Sequence, residues 1–120
     1  MKIAALGIVM ALAGTLAAEP VTPYAEAKVG TEIRQSEIVG EASRFPAGKW
    51  VIAWTRAHHF GETELEHVWQ RNGVVACRAT LRIKSEHVTT SSWCKVSPGA
   101  WTVEVLHRGK LLTSVAFSAG

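Results

Sequence analysis

Residues 65–83 read LEHVWQRNGVVACRATLRI. Side chains alternate across a strand with period two, so each half of this stretch has two faces. Before the turn, Leu65, His67 and Trp69 share a face, and Glu64, Glu66 and Gln70 share the other. After it, Val75, Cys77, Ala79, Leu81 and Ile83 oppose Arg78, Thr80, Arg82 and Lys84. Apolar on one side and charged on the other is the pattern of a half-buried strand. The stretch is therefore a β-hairpin turning at Arg71-Asn72-Gly73. Both apolar faces fall on one side if the loop has three residues, with Gly73 in the left-handed position. A two-residue Asn-Gly loop would set Trp69 opposite Ala76, so the three-residue loop is the expectation.

The same logic applies near the C-terminus. Trp101, Val103 and Val105 share a face, as do Leu111, Thr113, Val115 and Phe117. A three-residue loop His107-Arg108-Gly109 aligns the two sets. Upstream, 49–57 (KWVIAWTRA) is apolar on both faces, which marks a central strand. Trp50, Ile52 and Trp54 fall on one of its faces. Segments 25–34 and 36–45 are weaker strands, and 88–96 (VTTSSWCKV) is another. Turn signals at Pro46-Ala47-Gly48 and Pro98-Gly99 separate them. Some seven or eight short strands without a helical pattern predict an all-β protein, an antiparallel β-sandwich.

The cysteines are Cys77 and Cys94, and both fall on inferred inward faces. They are equidistant from the Ser85–Glu86 midpoint, so a simple hairpin through 84–87 sets them directly opposite. Opposed antiparallel residues have Cα atoms about 4.5–5.5 Å apart, inside the range of about 4.4–6.8 Å that a disulfide accepts. A bond within one sheet is the expectation from this symmetry. The alternative is a bond between two sheets, as in immunoglobulin domains.

The N-terminus orders a basic end, Met1-Lys2, an apolar run, and small residues at Ala17-Ala18. This is the pattern of a secretory signal peptide over 1–18. The run is shorter than the roughly 20 residues that span a bilayer. A flexible leading segment is expected over 19–28 and the β-sandwich domain over 29–120. Export, to the periplasm or beyond, favours a Cys77–Cys94 disulfide, and no stable membrane insertion is expected after cleavage. With 13 Lys and Arg against 10 Asp and Glu, losing Lys2 leaves a net charge of about +2. That balance, without clustered bases, does not suggest a nucleic-acid partner.

The five histidines are 58, 59, 67, 87 and 107. His58, His59 and His67 are the metal candidates if the loop between them folds back, since neutral imidazoles suit zinc or copper. The competing expectation is that His67 packs in the core or at its rim, bonded to backbone, and that no metal or other cofactor is held. His87 and His107 read as turn residues. The sequence has no aspartate, and Ser91 and Ser92 lack a glycine elbow. No catalytic residue is assigned, and no reaction is expected.

Trp50, Trp54, Trp69 and Trp101 fall on inferred core faces. Trp93 falls outward, and exposed tryptophans anchor partners. Arg78 and Arg82 are expected on the outward face of the neighbouring strand. Together the three residues form the expected binding surface, for a protein or glycan partner.

Several motifs occur in order: His67-Val68-Trp69, Arg71-Asn72-Gly73, the strand to Ile83, Thr89 to Ser92, and Gly99-Ala100-Trp101-Thr102-Val103. Gly109-Lys110-Leu111-Leu112 and Phe117 follow. The order resembles a bacterial family of domains of unknown function, DUF2914, whose pattern is H-x-W, a glycine turn, a serine-containing strand and G-x-W-x-V. The resemblance runs from about Val29 to the end. It implies an immunoglobulin-like sandwich, often in exported or membrane-attached proteins, and no known reaction. The chain departs from the pattern at Val88, where a tryptophan-arginine pair usually precedes the serine segment. The cysteine pair also looks like a local addition. The overall expectation is an exported binding or scaffolding module, with a periplasmic metal-binding protein as the alternative.

Overall fold

The computed structural model describes residues 21–120, so the signal peptide expected over 1–18 lies outside the described residues. Ten strands follow in order: β1 Tyr24–Gly30, β2 Glu32–Arg34, β3 Glu37–Val39, β4 Arg44–Phe45, β5 Trp50–His58, β6 Thr63–Arg71, β7 Val74–Ile83, β8 His87–Lys95, β9 Gly99–His107 and β10 Lys110–Ala119. The fold is all-β and the described residues contain no helix. Three of the ten strands, β2, β3 and β4, are short, and they account for the excess over the expected seven or eight. β1 starts at Tyr24 and pairs with β5 along its whole length. The sheet thus takes up Tyr24–Lys28 of the segment expected to be flexible.

Two sheets face each other. One has the order β1-β5-β8 and the other β4-β10-β9-β6-β7. Their pairings are antiparallel except for a short parallel contact between β4 and β10. β5 is central in its sheet, as its two apolar faces require. A small β2–β3 hairpin stands apart from both sheets in its pairing.

Both major hairpins close differently from expectation. Their loops have two residues, Asn72-Gly73 and Arg108-Gly109, all at positive φ. That is the conformation of a type I′ turn, whose twist matches the strands it joins. Parity is restored within the ladders. Trp69 pairs with Cys77 but Gln70 pairs with Val75, so Ala76 is an extra residue. Leu111 pairs with Leu106 but Thr113 pairs with Val105, so Leu112 is extra. A β-bulge inserts one residue and shifts the strand's facing by one. Trp69 therefore still faces inward with Cys77. Between each bulge and its turn the facing changes, and Val75 and Leu111, expected on the core side, are exposed. Leu112 packs inward in place of Leu111.

The disulfide Cys77–Cys94 is formed, with Cα atoms 6.2 Å apart. It joins β7 of the five-stranded sheet to β8 of the three-stranded sheet. The expected β7–β8 hairpin is not formed, because β8 pairs with β5 along the latter's full length. The two-sided apolar character of β5 calls for a neighbour on each edge, and β8 is the second. The bond lies between sheets.

The core contains two apolar clusters. One gathers Val51, Ala53, Trp69, Cys94, Trp101 and Phe117 among others. The second gathers Ala57, Leu65, Ile83 and Val105. Thr55 lies between Ala53 and Ala57 on β5, and His67 lies between Leu65 and Trp69 on β6. A buried polar layer thus separates the two clusters.

Candidate functional site

The polar layer spans the sandwich. His67 on β6 is fully buried and reaches Thr55 Oγ1 on β5 (2.7 Å) and Ser92 Oγ on β8 (2.6 Å). Trp69 Nε1 donates to the same Ser92 Oγ (3.0 Å). A neutral imidazole has one N–H and one bare nitrogen. It donates to one of the two hydroxyls and accepts from the other. Burial pushes the His67 pKa down to about 4, so the ring is neutral at pH 7. No buried side-chain nitrogen or oxygen among the described residues lacks a partner. His67 was expected to bond backbone; it bonds two side chains of the opposite sheet instead. Ser92 is sealed with it, and neither presents a reactive group to solvent.

The outer face of the three-stranded sheet has a different character. Register places Tyr24, Glu26 and Lys28 of β1 beside Trp54, Arg56 and His58 of β5, which face Ser91, Thr89 and His87 of β8. The β2–β3 hairpin covers the middle of this face. Trp54 Nε1 donates to Ser36 O (2.8 Å), Arg56 pairs with Glu37, and the Arg56 and Lys28 cations lie over the Trp54 ring. Trp54 is buried for this reason, although it faces away from the sandwich core. Among the described residues, nothing covers two regions of this face, one at each end.

At one end, Trp50 is 58% exposed and Trp93 54% exposed. Trp50 pairs with Lys95 and Ile52 with Trp93, so the two indoles are diagonal neighbours across the β5–β8 ladder. Trp50 was expected in the core. Its inward-facing neighbours are Val51 and Ala53, which makes Trp50 an outward residue beyond the reach of the hairpin. A depression of about 350 Å³ lined by Gly48, Lys95, Val96, Ser97 and Pro98 adjoins this patch.

At the other end three histidines meet. His58 and His87 are cross-strand partners, with Nδ1 atoms 3.3 Å apart. His58 Nε2 donates to Glu26 Oε1 (3.0 Å), and Tyr24 stacks on the His58 ring. This hydrogen bond holds the Glu26 carboxyl below its ordinary pKa. His59 turns out of the strand with φ of 65° and donates its N–H to Glu86 O. Its ring packs edge-on against His87, with centroids 4.6 Å apart. His59, Glu86 and His87 each offer a ligand atom within 4.8 Å of the others.

The expected metal set of His58, His59 and His67 is therefore not assembled. His67 points into the core, and His87 takes its place. The pairing of β5 with β8 brings together two strand ends that the sequence shows as His58-His59 and Glu86-His87. Those two pairs are the signal in the sequence, and it is hidden as long as β8 is paired with β7.

The expected surface of Trp93, Arg78 and Arg82 is also divided. Arg78 and Arg82 lie on β7, on the outside of the other sheet. They pair with Glu66 (2.8 Å) and Glu64 (3.8 Å) of β6. A β7–β8 hairpin would make the three residues neighbours. With the strands in different sheets, Trp93 and the arginines face opposite ways.

An all-β sandwich of two facing sheets, bridged by one disulfide, belongs to the immunoglobulin-like class. Among solved structures, an immunoglobulin-like protein from Pseudomonas aeruginosa is similar at a TM-score of 0.55, with 14% identity over 83% of this chain and 98% of that one. At that identity the likeness is one of fold. The family model "Protein of unknown function (DUF2914)" matches residues 62–119, and the resemblance to DUF2914 is shown over β6 to β10. No curated protein matches the chain. The matched region contains His67, Trp69 and Ser92. The H-x-W and serine motifs of the sequence thus meet in one hydrogen-bonded unit. Among the described residues no helix is long and apolar enough to cross a membrane.

Proposed function

We propose that the protein is an exported binding or scaffolding module that carries out no reaction itself. Its contact surface is the Trp50–Trp93 end of the three-stranded sheet. The supporting observation is the pair of half-exposed indoles on adjacent strands. Exposed aromatic pairs with a polar surround have the make-up of protein-interface anchors. Ile52 between them is apolar, and the nearby cations Lys49 and Lys95 are exposed. This layout suits a protein partner with an acidic rim better than a glycan, because no amide or carboxylate side chain stands beside the indoles in the β5–β8 register to bond sugar hydroxyls. Export is supported by the signal-peptide pattern and by the disulfide, since such bonds persist in oxidising compartments. A binding role with no reaction is supported by the sealing of Ser92 and His67 in the core and by the ion-paired state of Glu64 and Glu66.

The test compares partner recovery from native envelope extract by the wild-type protein, the Trp50→Ala/Trp93→Ala variant and the Arg78→Ala/Arg82→Ala variant. Loss with the tryptophan variant and retention with the arginine variant is the expected result. Equal recovery by all three counts against the surface. Polysaccharide binding that is lost with the tryptophans would replace the protein partner with a glycan.

A further inference from the structure

We infer that the opposite end of the same sheet face is a binding site for a divalent transition-metal ion of the zinc, copper or nickel class, formed by His58, His59, Glu86 and His87. Imidazole with one carboxylate is a donor set for borderline ions and a poor one for calcium or magnesium, which take oxygen ligands. The inference concerns a different surface from the tryptophan patch and does not depend on it.

Three features carry it. The first is spacing. Tetrahedral zinc with bonds of about 2.0–2.1 Å sets its nitrogen donors about 3.3–3.4 Å apart. The Nδ1 atoms of His58 and His87 are 3.3 Å apart. The donor atoms of His59, Glu86 and His87 lie within 4.8 Å of one another, and His58 adjoins this group of three through its contact with His87. Glu86 and His87 are exposed and His59 partly so, and small rotamer turns close these side chains on an ion.

The second is the outer shell. A metal-ligating histidine usually donates its remote N–H to a carboxylate, which fixes the tautomer and leaves the other nitrogen bare. His58 does this with Glu26 at 3.0 Å. Its Nδ1 is thereby bare and accepts a hydrogen bond from His87 Nδ1 at 3.3 Å, the place an ion would take.

The third is the backbone. His59 leaves the strand in a left-handed conformation, which histidine takes more readily than most side-chain-bearing residues. Its N–H is held by Glu86 O. This pairing anchors the His59 backbone beside the segment that carries Glu86 and His87. The site thus draws on Glu26 of β1, the end of β5 and the start of β8, with His59 and Glu86 in the segments just beyond the strands.

The experiment uses untagged protein with its disulfide intact, titrated with Zn²⁺ by calorimetry. The expected result is one Zn²⁺ per chain. His59→Ala/His87→Ala should lose stoichiometric binding, while His107→Ala keeps it. Glu26→Gln should weaken binding by about 10- to 100-fold through its effect on His58. In the wild-type protein, Zn²⁺ should shift the imidazole NMR signals of His58, His59 and His87 and leave those of His67 and His107 in place. Absence of stoichiometric binding, or its persistence in the double variant, overturns the site. Unperturbed signals from the three clustered histidines overturn it without reliance on any variant. Unchanged affinity in Glu26→Gln overturns the assignment of His58 as a ligand.

Discussion

His67 and Ser92 reach across the sandwich from opposite sheets, Nδ1 to Oγ at 2.6 Å, and the same Oγ accepts the Trp69 indole N–H. One hydroxyl therefore serves two residues of β6. Ser92→Ala would strand a buried indole N–H and a buried ring nitrogen together. Each unsatisfied buried group costs about 1–3 kcal/mol. The expected loss on urea denaturation is about 2–6 kcal/mol. In a double-mutant cycle with His67→Leu the effects should be strongly non-additive, because the second change removes a group already left unpaired.

The pH dependence of stability follows from the same ring. His67 titrates near 4 in the folded protein against an ordinary value of 6.5. Between those values the unfolded chain holds the additional proton, so acid favours unfolding. The His67 contribution is fully present above about pH 6.5 and is lost as pH falls towards 4, on the order of 3 kcal/mol in all. Chemical denaturation at a series of pH values should show this slope in the wild-type protein, and the slope should be reduced in His67→Leu.

The disulfide closes a chain segment with a sequence separation of 17 residues. In the chain-entropy model a loop of that size contributes about 3 kcal/mol. Cys77→Ala/Cys94→Ala should lower stability by about that amount while leaving the strand content seen by circular dichroism unchanged. A wild-type sample under reductant should behave in the same way.

Gly30 at the end of β1 is a point of close approach. A Cβ there would come within 2.6 Å of Ile38 Cγ1 and 2.7 Å of Val39 O, and the second of these is backbone. Gly30→Ala should push the β2–β3 hairpin off the sheet at a cost of about 1–3 kcal/mol. The covering of Trp54 depends on that hairpin, so tryptophan fluorescence should shift to the red in the folded variant.

The fold class was legible because alternation in 65–83 and 101–117 is strong, and the inward faces of Leu65, His67, Trp69, Trp101, Val103 and Phe117 follow from it. The loop lengths were not legible. Parity shows that an odd residue is needed but not where it sits, and the chain places it in the ladders at Ala76 and Leu112. Sheet membership was the larger gap. Equal spacing of Cys77 and Cys94 about a turn is compatible with a hairpin and with a crossing between sheets. Only the pairing of β8 with β5 distinguishes them, and that is a long-range choice made by the apolar faces of β5. The misplaced binding surface, the missed His87 and the misassigned Trp50 all follow from strand neighbours and coverings that periodicity does not encode.

The disulfide has a consequence for how copies of this chain meet. β7 and β8 are each the outer strand of their sheet and lie on the same flank of the sandwich. Unpaired strand edges invite exchange with another molecule, and domain swapping is one route. Cys77–Cys94 sews that flank shut. β8 cannot leave its place beside β5 and cross to a second chain without pulling β7 with it. The bond therefore acts as a latch that keeps the strand carrying Ser92, Trp93 and His87 within its own molecule.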